Sequence, residues 1–390
     1  MVSEIKQSFL ILLGDYLKKK ESKEWKQIKE NIESLKKLAD SHCVTGIIYN
    51  QIKNHSECIN LTEWHSKYCQ AISSSSQYTR LYQKIDRELT NYAIEHFQIK
   101  GLPIAQYYPI PQLRTMGDMD IMVHAEERPR VDAILKDMGF SCTNSGAQEW
   151  VYQKGNIHLE IHDKLLYYTN NDEDLVFADT VWNYVQNNEL DISFHFVYLV
   201  LHLKKHFLWE GVGFRQFMDL CVVYRHIDKA WTDEKLKELG LYEFAYKCLA
   251  LCERWFDIDL GLSTKIEIDD GFYENATNKI FDNGVFGFDD ASNKTNRLVN
   301  EANKGRSPAF IFVRRTLCLL FPKYKQLIGS EEFSWLKGRM YLYPAAVVNR
   351  WVTRLKRIKK LPGHLDGFII SAAEIDNRNA QLENWGLGPG

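Results

Sequence analysis

Residues 113–123, LRTMGDMDIMV, set two aspartates one residue apart, Asp118 and Asp120, within an otherwise apolar run. Side chains alternate along a strand, so the two carboxylates share a face while Met119, Ile121 and Val123 point the other way, into a core. Carboxylates this close repel, and one resists ionisation unless a cation compensates. Mg²⁺ suits the place, being a hard ion that prefers oxygen and is held by one or two carboxylates plus phosphate oxygens. A third carboxylate follows in IHLEIH, residues 157–162, where Ile157, Leu159 and Ile161 face one side and His158, Glu160 and His162 the other. Asp118, Asp120 and Glu160 on neighbouring strands would hold two Mg²⁺ ions. Such a site orients a nucleoside triphosphate (NTP), helps deprotonate an attacking hydroxyl and stabilises the leaving pyrophosphate. Glu160 would hold the catalytic ion and could take the acceptor's proton. Two other readings stay open: a solvated pair of surface aspartates, and an HxExH strand binding zinc through His158 or His162.

The surrounding chain predicts the elements that must position these groups. Residues 1–97 read as helical throughout, with apolar residues at three- and four-residue steps. In the segment from Ser76 to Phe97, Leu81, Ile85, Leu89, Tyr92 and Phe97 form a buried stripe. The stretch IKGLPIAQYYPIPQLR, rich in proline, reads as irregular. GDMDIMV is a strand, and ERPRVDAILKDMGF is a short helix with Pro129 in its first turn and Gly139 at its end. EWVYQKGNIHLEIHDKL is a hairpin turning at Lys154-Gly155-Asn156. Helices return from about Asp191: FHFVYLVLHLKKHF, FRQFMDLCVVYRHI, and one or two more over 232–257. Residues 258–308 are weakly patterned and read as including a mobile loop, and the remainder is helical again.

Other groups carry paired readings. Arg114, four residues before Asp118, is a phosphate clamp or an ion-pair partner of Asp118 or a neighbour. His202, Lys205 and His206 share one face of an apolar helix. Lys205 could meet phosphate while the histidines position the acceptor or the base, or the three could form a buried network with Arg215 and Asp219. A HExxH zinc site is excluded, because Leu203 stands where the glutamate must be. Arg215 and Asp219, four apart, read as a structural ion pair. The basic NRWVTRLKRIKK either packs its apolar side on the protein or docks on an anionic membrane or RNA.

IKGLPIAQYYPIPQLRTMGDMDIMV, the short helix ending in Gly-Phe, and LEIH together resemble an uncharacterised bacterial nucleotidyltransferase family of the polymerase-beta type. Downstream, HLKKHF and GVGFRQFMDL resemble that family's His-x-x-Lys-His helix and Gly-Arg-Asp segment. The likeness runs from about residue 80 to 260. It implies an α+β fold, a small mixed β-sheet core flanked by N- and C-terminal helical regions. It also implies transfer of NMP from an NTP to an acceptor. Lys100-Gly101 stands where the wider superfamily has Gly-Ser, the turn whose backbone N–H groups cradle the triphosphate, so Lys100 and Arg114 would supply charge instead.

Four regions are expected: helical 1–80, a nucleotidyltransferase core 81–190, a helical region 191–260 completing the cleft, and a mostly helical 261–390 with a flexible 260–308 segment. Formal net charge is −2, which disfavours a nucleic-acid partner bound through the overall field. The acceptor is therefore expected to be a small molecule, sugar or modified peptide. A toxin-like enzyme acting on tRNA or protein, and a silent nucleotide-binding regulator, are the alternatives. No stretch reads as a signal peptide or a membrane span. The eight cysteines show no metal spacing and read as reduced thiols, so a cytoplasmic protein is expected. The oligomeric state has no sequence signature.

Overall fold

The computed structural model describes residues 3–22, 25–54, 61–145, 149–167, 172–209, 211–284, 321, 324, 335–336, 338–358 and 372–387. The chain divides into two compact units, Met1–Asp290 with Trp385–Leu387, and Ala291–Asn384 with Gly388–Gly390. In the first unit, helices α1 (Glu4–Leu17), α2 (Trp25–Glu30), α3 (Ile32–Ser41), α4 (Thr45–Ile52) and α5 (Thr62–Asn91) come first. Gly14 of α1 lies so close to the backbone of Phe256 that a Cβ there would overlap it. A glycine is what lets those two helices touch.

Five strands then build one mixed sheet in the order β1-β2-β5-β4-β3. They are β1 (His96–Ile99), β2 (Met119–Val123), β3 (Ser141–Ser145), β4 (Glu149–Lys154) and β5 (Ile157–His162), with α6 (Gly101–Ala105) and α7 (Arg128–Asp137) inserted. β1 runs antiparallel to β2, β2 parallel to β5, and β4 antiparallel to both β5 and β3. The expected hairpin is present, turning at Gly155 with φ +59°. One sheet face buries Met119, Ile121, Val123, Tyr152, Leu159 and Ile161 against Leu81, Ile85 and Leu89 of α5 and Val131, Ile134 and Leu135 of α7. Period-two alternation therefore leaves Asp120, Glu160 and His162 on the opposite face.

One expectation is corrected here. The long helix stops at Asn91, leaving Tyr92 53% exposed, and Phe97 is buried in β1 rather than in a helical stripe. Residues 258–308 include a regular helix, α13 (Asp270–Asn283), whose N-cap Asp269 accepts from the Phe272 N–H. Residues 285–308 of that segment lie outside the described residues.

The other sheet face looks toward helices α9 (Ile192–Trp209) and α10 (Phe214–Tyr224), after α8 (Asp172–Asp179) and the small ribbon β6 (Val185–Gln186) and β7 (Glu189–Leu190). α9 starts where Asp191 Oδ1 accepts from the N–H groups of Ser193 and Phe194. α11 (Lys229–Glu238) and α12 (Tyr242–Phe256) complete the first unit's helical layer, and Trp385 packs among Phe207, Phe244 and Phe272. In the second unit, α14 (Tyr343–Ile358) buries Ala346 and Val347 beside Leu336, and α15 (Ala372–Asn384) follows. Residues 349–358 of the basic stretch NRWVTRLKRIKK run along α14, where Trp351 meets Phe321; residues 359–360 and the side chains after Trp351 lie outside the described residues.

Candidate active site

The parallel register of β2 and β5 sets Asp120 directly opposite Glu160 and Met122 opposite His162. Register partners point to the same face, so two carboxylates meet where the sequence places them. Asp118 lies one residue before β2 and is more exposed than Asp120, which is 2% exposed. Three contacts fix the turn that carries Asp118. Tyr78 Oη of α5 donates to the Gly117 carbonyl at 3.1 Å, Thr115 Oγ1 to the Cys43 carbonyl at 2.6 Å, and Arg215 Nη1 to the Thr115 carbonyl at 2.9 Å.

Lys100 ends β1 with φ +56° and ψ −119°, a backbone state that suits glycine and strains a side-chain-bearing residue by about 1–3 kcal/mol. Two contacts hold it there. Its N–H donates to His195 Nε2 at 3.0 Å, and its ammonium donates to Asp120 Oδ1 at 3.1 Å. Burial works against the ammonium's charge, but Asp120, with help from Tyr198 and Asp118, holds its pKa above the usual lysine range. Gly101 follows, and a Cβ there would press on Met116 at 3.2 Å beneath the Asp118 turn.

His162 completes the cluster. Its Nε2 lies 3.0 Å from Asp120 Oδ1 and 3.2 Å from Glu160 Oε2. One ligand atom from each of Asp120, Glu160 and His162 lies within 4.8 Å of the others, close enough to hold one metal ion. The electrostatics separate the two aspartates. Burial and the Asp120 charge raise the pKa of Asp118, with Arg215 and Lys100 working the other way. Asp120 is pushed down despite its burial, by Lys100 and His162. Burial disfavours the His162 imidazolium, yet the two carboxylates raise its pKa overall. Three carboxylates crowd one lysine and one histidine, with Arg215 acting on Asp118 from the side, and such crowding of like charge favours a divalent cation.

α9 lines the face opposite. His195, Tyr198 and His202 follow one another at three- and four-residue steps, so they share a stripe. Burial and the nearby Arg114 drive the His195 pKa down to about 3, so a neutral ring accepts the Lys100 N–H. Burial raises the Tyr198 pKa to about 12 although its hydroxyl meets Lys100. His202 is driven well down, first by burial and then by Lys100, and its Nε2 lies 3.2 Å from Nε2 of His206. Lys205 of the same turn is exposed.

The expected site residues thus fall into two groups. Asp118, Asp120, Glu160, Lys100, Gly101 and His202 gather at one sheet end, and His206 joins through His202. Arg114 does not serve them as an open clamp. It is buried, and its Nε and Nη2 donate to the two carboxylate oxygens of Asp219, each at 2.8 Å. Asp219 therefore pairs with Arg114 and with the Tyr108 hydroxyl at 2.6 Å, not with Arg215. A buried carboxylate takes the guanidinium whose fork it can match on both oxygens. Of the strand histidines, His158 is exposed and outside the cluster, whereas His162 is inside it. His195 and Tyr198 escape sequence reasoning, although their spacing to His202 marks the same polar stripe on an apolar helix.

A mixed sheet thus sets carboxylates side by side on adjacent parallel strands, under a helix carrying a lysine-facing polar stripe. Residues 29–257 match the family described as uncharacterised nucleotidyltransferase, and the chain belongs to that family. Among the curated proteins and the solved structures, no significant match to the chain is found. No described helix is long and apolar enough to cross a membrane.

Proposed function

We propose that this chain is a divalent-metal-dependent nucleotidyltransferase that moves NMP from an NTP to a hydroxyl or phosphate of a small-molecule, sugar or peptide acceptor, with release of pyrophosphate. The observation that carries the reading is the register of Asp120 against Glu160 beside the turn holding Asp118. These carboxylates would hold Mg²⁺, which when bound supplies charge neutralisation for the triphosphate and lowers the acidity barrier of the acceptor. The protein's own groups do the rest. Glu160, less buried than Asp120, accepts the acceptor's proton. Lys100, whose ammonium rests on Asp120, would meet phosphate oxygens once a cation takes over that carboxylate, and Arg215 brings a second cation to the Asp118 turn. The fixed α9 stripe excludes water from that side of the cluster.

One observation favours a second reading, a silent nucleotide-binding regulator: the Lys100 ammonium already rests on Asp120. The two are separated by incubating the protein with Mg²⁺ and each α-³²P-labelled NTP plus extract from its own source. Labelled product that disappears in Asp120→Asn and Glu160→Gln supports transfer. NTP binding that survives both substitutions, with no pyrophosphate released under any acceptor, sinks it. A labelled tRNA or protein band would move the acceptor to the toxin-like class.

A further inference from the structure

We propose that His162 is itself a metal ligand, so that the tightest cation site is Asp120–Glu160–His162 and favours a first-row transition ion such as Mn²⁺ over Mg²⁺. The inference deepens the function proposed above, and it concerns which atoms grip the ion rather than whether transfer occurs.

The three donor atoms lie within 4.8 Å of one another, and an ion among them would displace the Lys100 ammonium from Asp120 Oδ1. His162 Nε2 stands 3.0 Å from Asp120 Oδ1 and 3.2 Å from Glu160 Oε2. An octahedral ion with bonds of about 2.1 Å has neighbouring donors about 3.0 Å apart, and a tetrahedral one about 3.4 Å. The imidazole therefore occupies a ligand position, and a cation can replace the proton that bridges it to the two carboxylates. The residue is 8% exposed, so its ring is held by packing rather than free to swing away. Strand pairing fixes all three ligands, because β5 supplies Glu160 and His162 two residues apart on one face and β2 supplies Asp120 opposite Glu160. Asp118 is not part of this tight group, which leaves it for a second, more loosely held ion or for the substrate side.

Ligand type then biases the choice of ion. Carboxylates alone suit Mg²⁺, while an imidazole nitrogen raises affinity along the series from Mn²⁺ toward Zn²⁺. Two carboxylates and one imidazole with open positions make a mixed set, and Mn²⁺ is the member of the series that accepts both donor types and still keeps water or phosphate oxygens.

The test uses the full chain with Mn²⁺ alone, without nucleotide or acceptor. Electron spin-echo envelope modulation of bound Mn²⁺ is expected to show a directly coordinated ¹⁴N. In His162→Gln that modulation disappears and Mn²⁺ affinity falls about 10–100-fold, while Mg²⁺ affinity changes less than about threefold. His158→Ala, on the exposed histidine four residues earlier on the same strand, keeps the modulation. Should His162→Gln prove unfolded by circular dichroism, His162→Asn replaces it, and the wild-type spectrum decides alone if both fail. Bound Mn²⁺ without nitrogen modulation in the wild type overturns the inference, and so does an unchanged spectrum in His162→Gln. If nitrogen is absent but Asp120→Asn still abolishes Mn²⁺ binding, the carboxylate site and the transferase reading stand and only the role of His162 falls.

Discussion

Two charged centres lie on either side of His195, and they are built on opposite principles. In the first, Arg114 and Asp219 match fork to fork, Tyr108 adds a third hydrogen bond, and the pair is neutral and nearly sealed. In the second, Lys100 and His162 both contact one oxygen of Asp120, Glu160 shares the same histidine, and Asp118 lies at the exposed rim, so three carboxylates divide two close cations. The closed centre has nothing left to offer a ligand, and it ties the segment before β2 to α10. The open centre has spent stability on charges its own protein does not neutralise, which is how a binding site looks before its ligand arrives. Two buried ion pairs in one fold therefore need not share a purpose, and the satisfaction of their oxygens tells them apart.

Substitutions should split the two centres. The largest effect belongs to Glu160→Gln, expected to lower NMP transfer by on the order of 10³-fold, or about 4 kcal/mol in the barrier, while thermal stability changes little, since a part-exposed charge leaves a crowded acidic cluster and Asp120 still holds Lys100 and His162. Single-turnover rates and a melting curve on one sample read both. Arg114→Met should do the reverse. It strands the Asp219 carboxylate in the interior and should cost about 3–5 kcal/mol of stability. The double variant Arg114→Met/Asp219→Leu should recover most of that loss, as a buried pair replaced by apolar residues often does. Denaturant midpoints that fall as far in the double variant as in the single one would undo the comparison.

The legibility of the two centres in sequence also differs. Asp118, Asp120 and Glu160 were readable because period-two alternation assigns a face, and the hairpin that carries Glu160 has a strong turn signal. The α7 face of Val131, Ile134 and Leu135 was readable for the same kind of reason. The Arg114–Asp219 pairing was not, since its members lie on a loop and a helix 105 residues apart and nothing local joins them; the i, i+4 spacing pointed to Arg215 instead. β1 was hidden because Tyr92 and Phe97 continue the apolar stripe of α5 by coincidence, while Gly is absent at the helix end. β3 was hidden because its sequence, SCTNS, is that of a mostly exposed edge strand with an irregularity between Cys142 and Asn144, where no buried face demands apolar alternation. Lys100 could not be seen as strained, because a positive φ at lysine is set by tertiary contacts with His195 and Asp120.

Acid should test the neutral histidine between the centres. His42 and His195 are both held to about 3 by burial, with Lys6 adding to the effect at His42 and Arg114 at His195. For a base whose folded pKa lies below its unfolded value near 6.5, only the unfolded chain takes up the proton in between. Stability is thus unaffected above pH 6.5 and falls as pH drops from there toward 3, by about 1.4 kcal/mol per pH unit for each histidine. His162 has the opposite sign. Its pKa is raised in the fold, so its contribution is complete below pH 6.5 and is lost only as pH rises through that raised value. Urea denaturation between pH 6.5 and 4.5 should show the loss, and His195→Gln, whose amide oxygen can still accept the Lys100 N–H, should lower the slope by about a third, since His42 and His202 are depressed as well. An unchanged slope in that variant would mean His195 is charged in the fold.

The smallest effect separates the rim of the open centre from its interior. Lys205 is exposed on α9, whereas Lys100 is fixed on Asp120 within the cluster. A mobile surface ammonium attracts a triphosphate through a screened field, so Lys205→Ala should raise the KM for NTP by a few-fold at low salt, leave kcat unchanged, and alter stability by no more than about 0.5 kcal/mol. The KM difference should fade in 0.5 M salt, where charges more than about 4 Å apart hardly interact. Lys100→Met should behave otherwise, lowering kcat at every ionic strength, because its ammonium is desolvated and aimed by backbone geometry rather than by diffusion. Should Lys205→Ala lower kcat in high salt as well, the helix stripe takes part in the chemical step, and the open centre extends from the sheet across to α9.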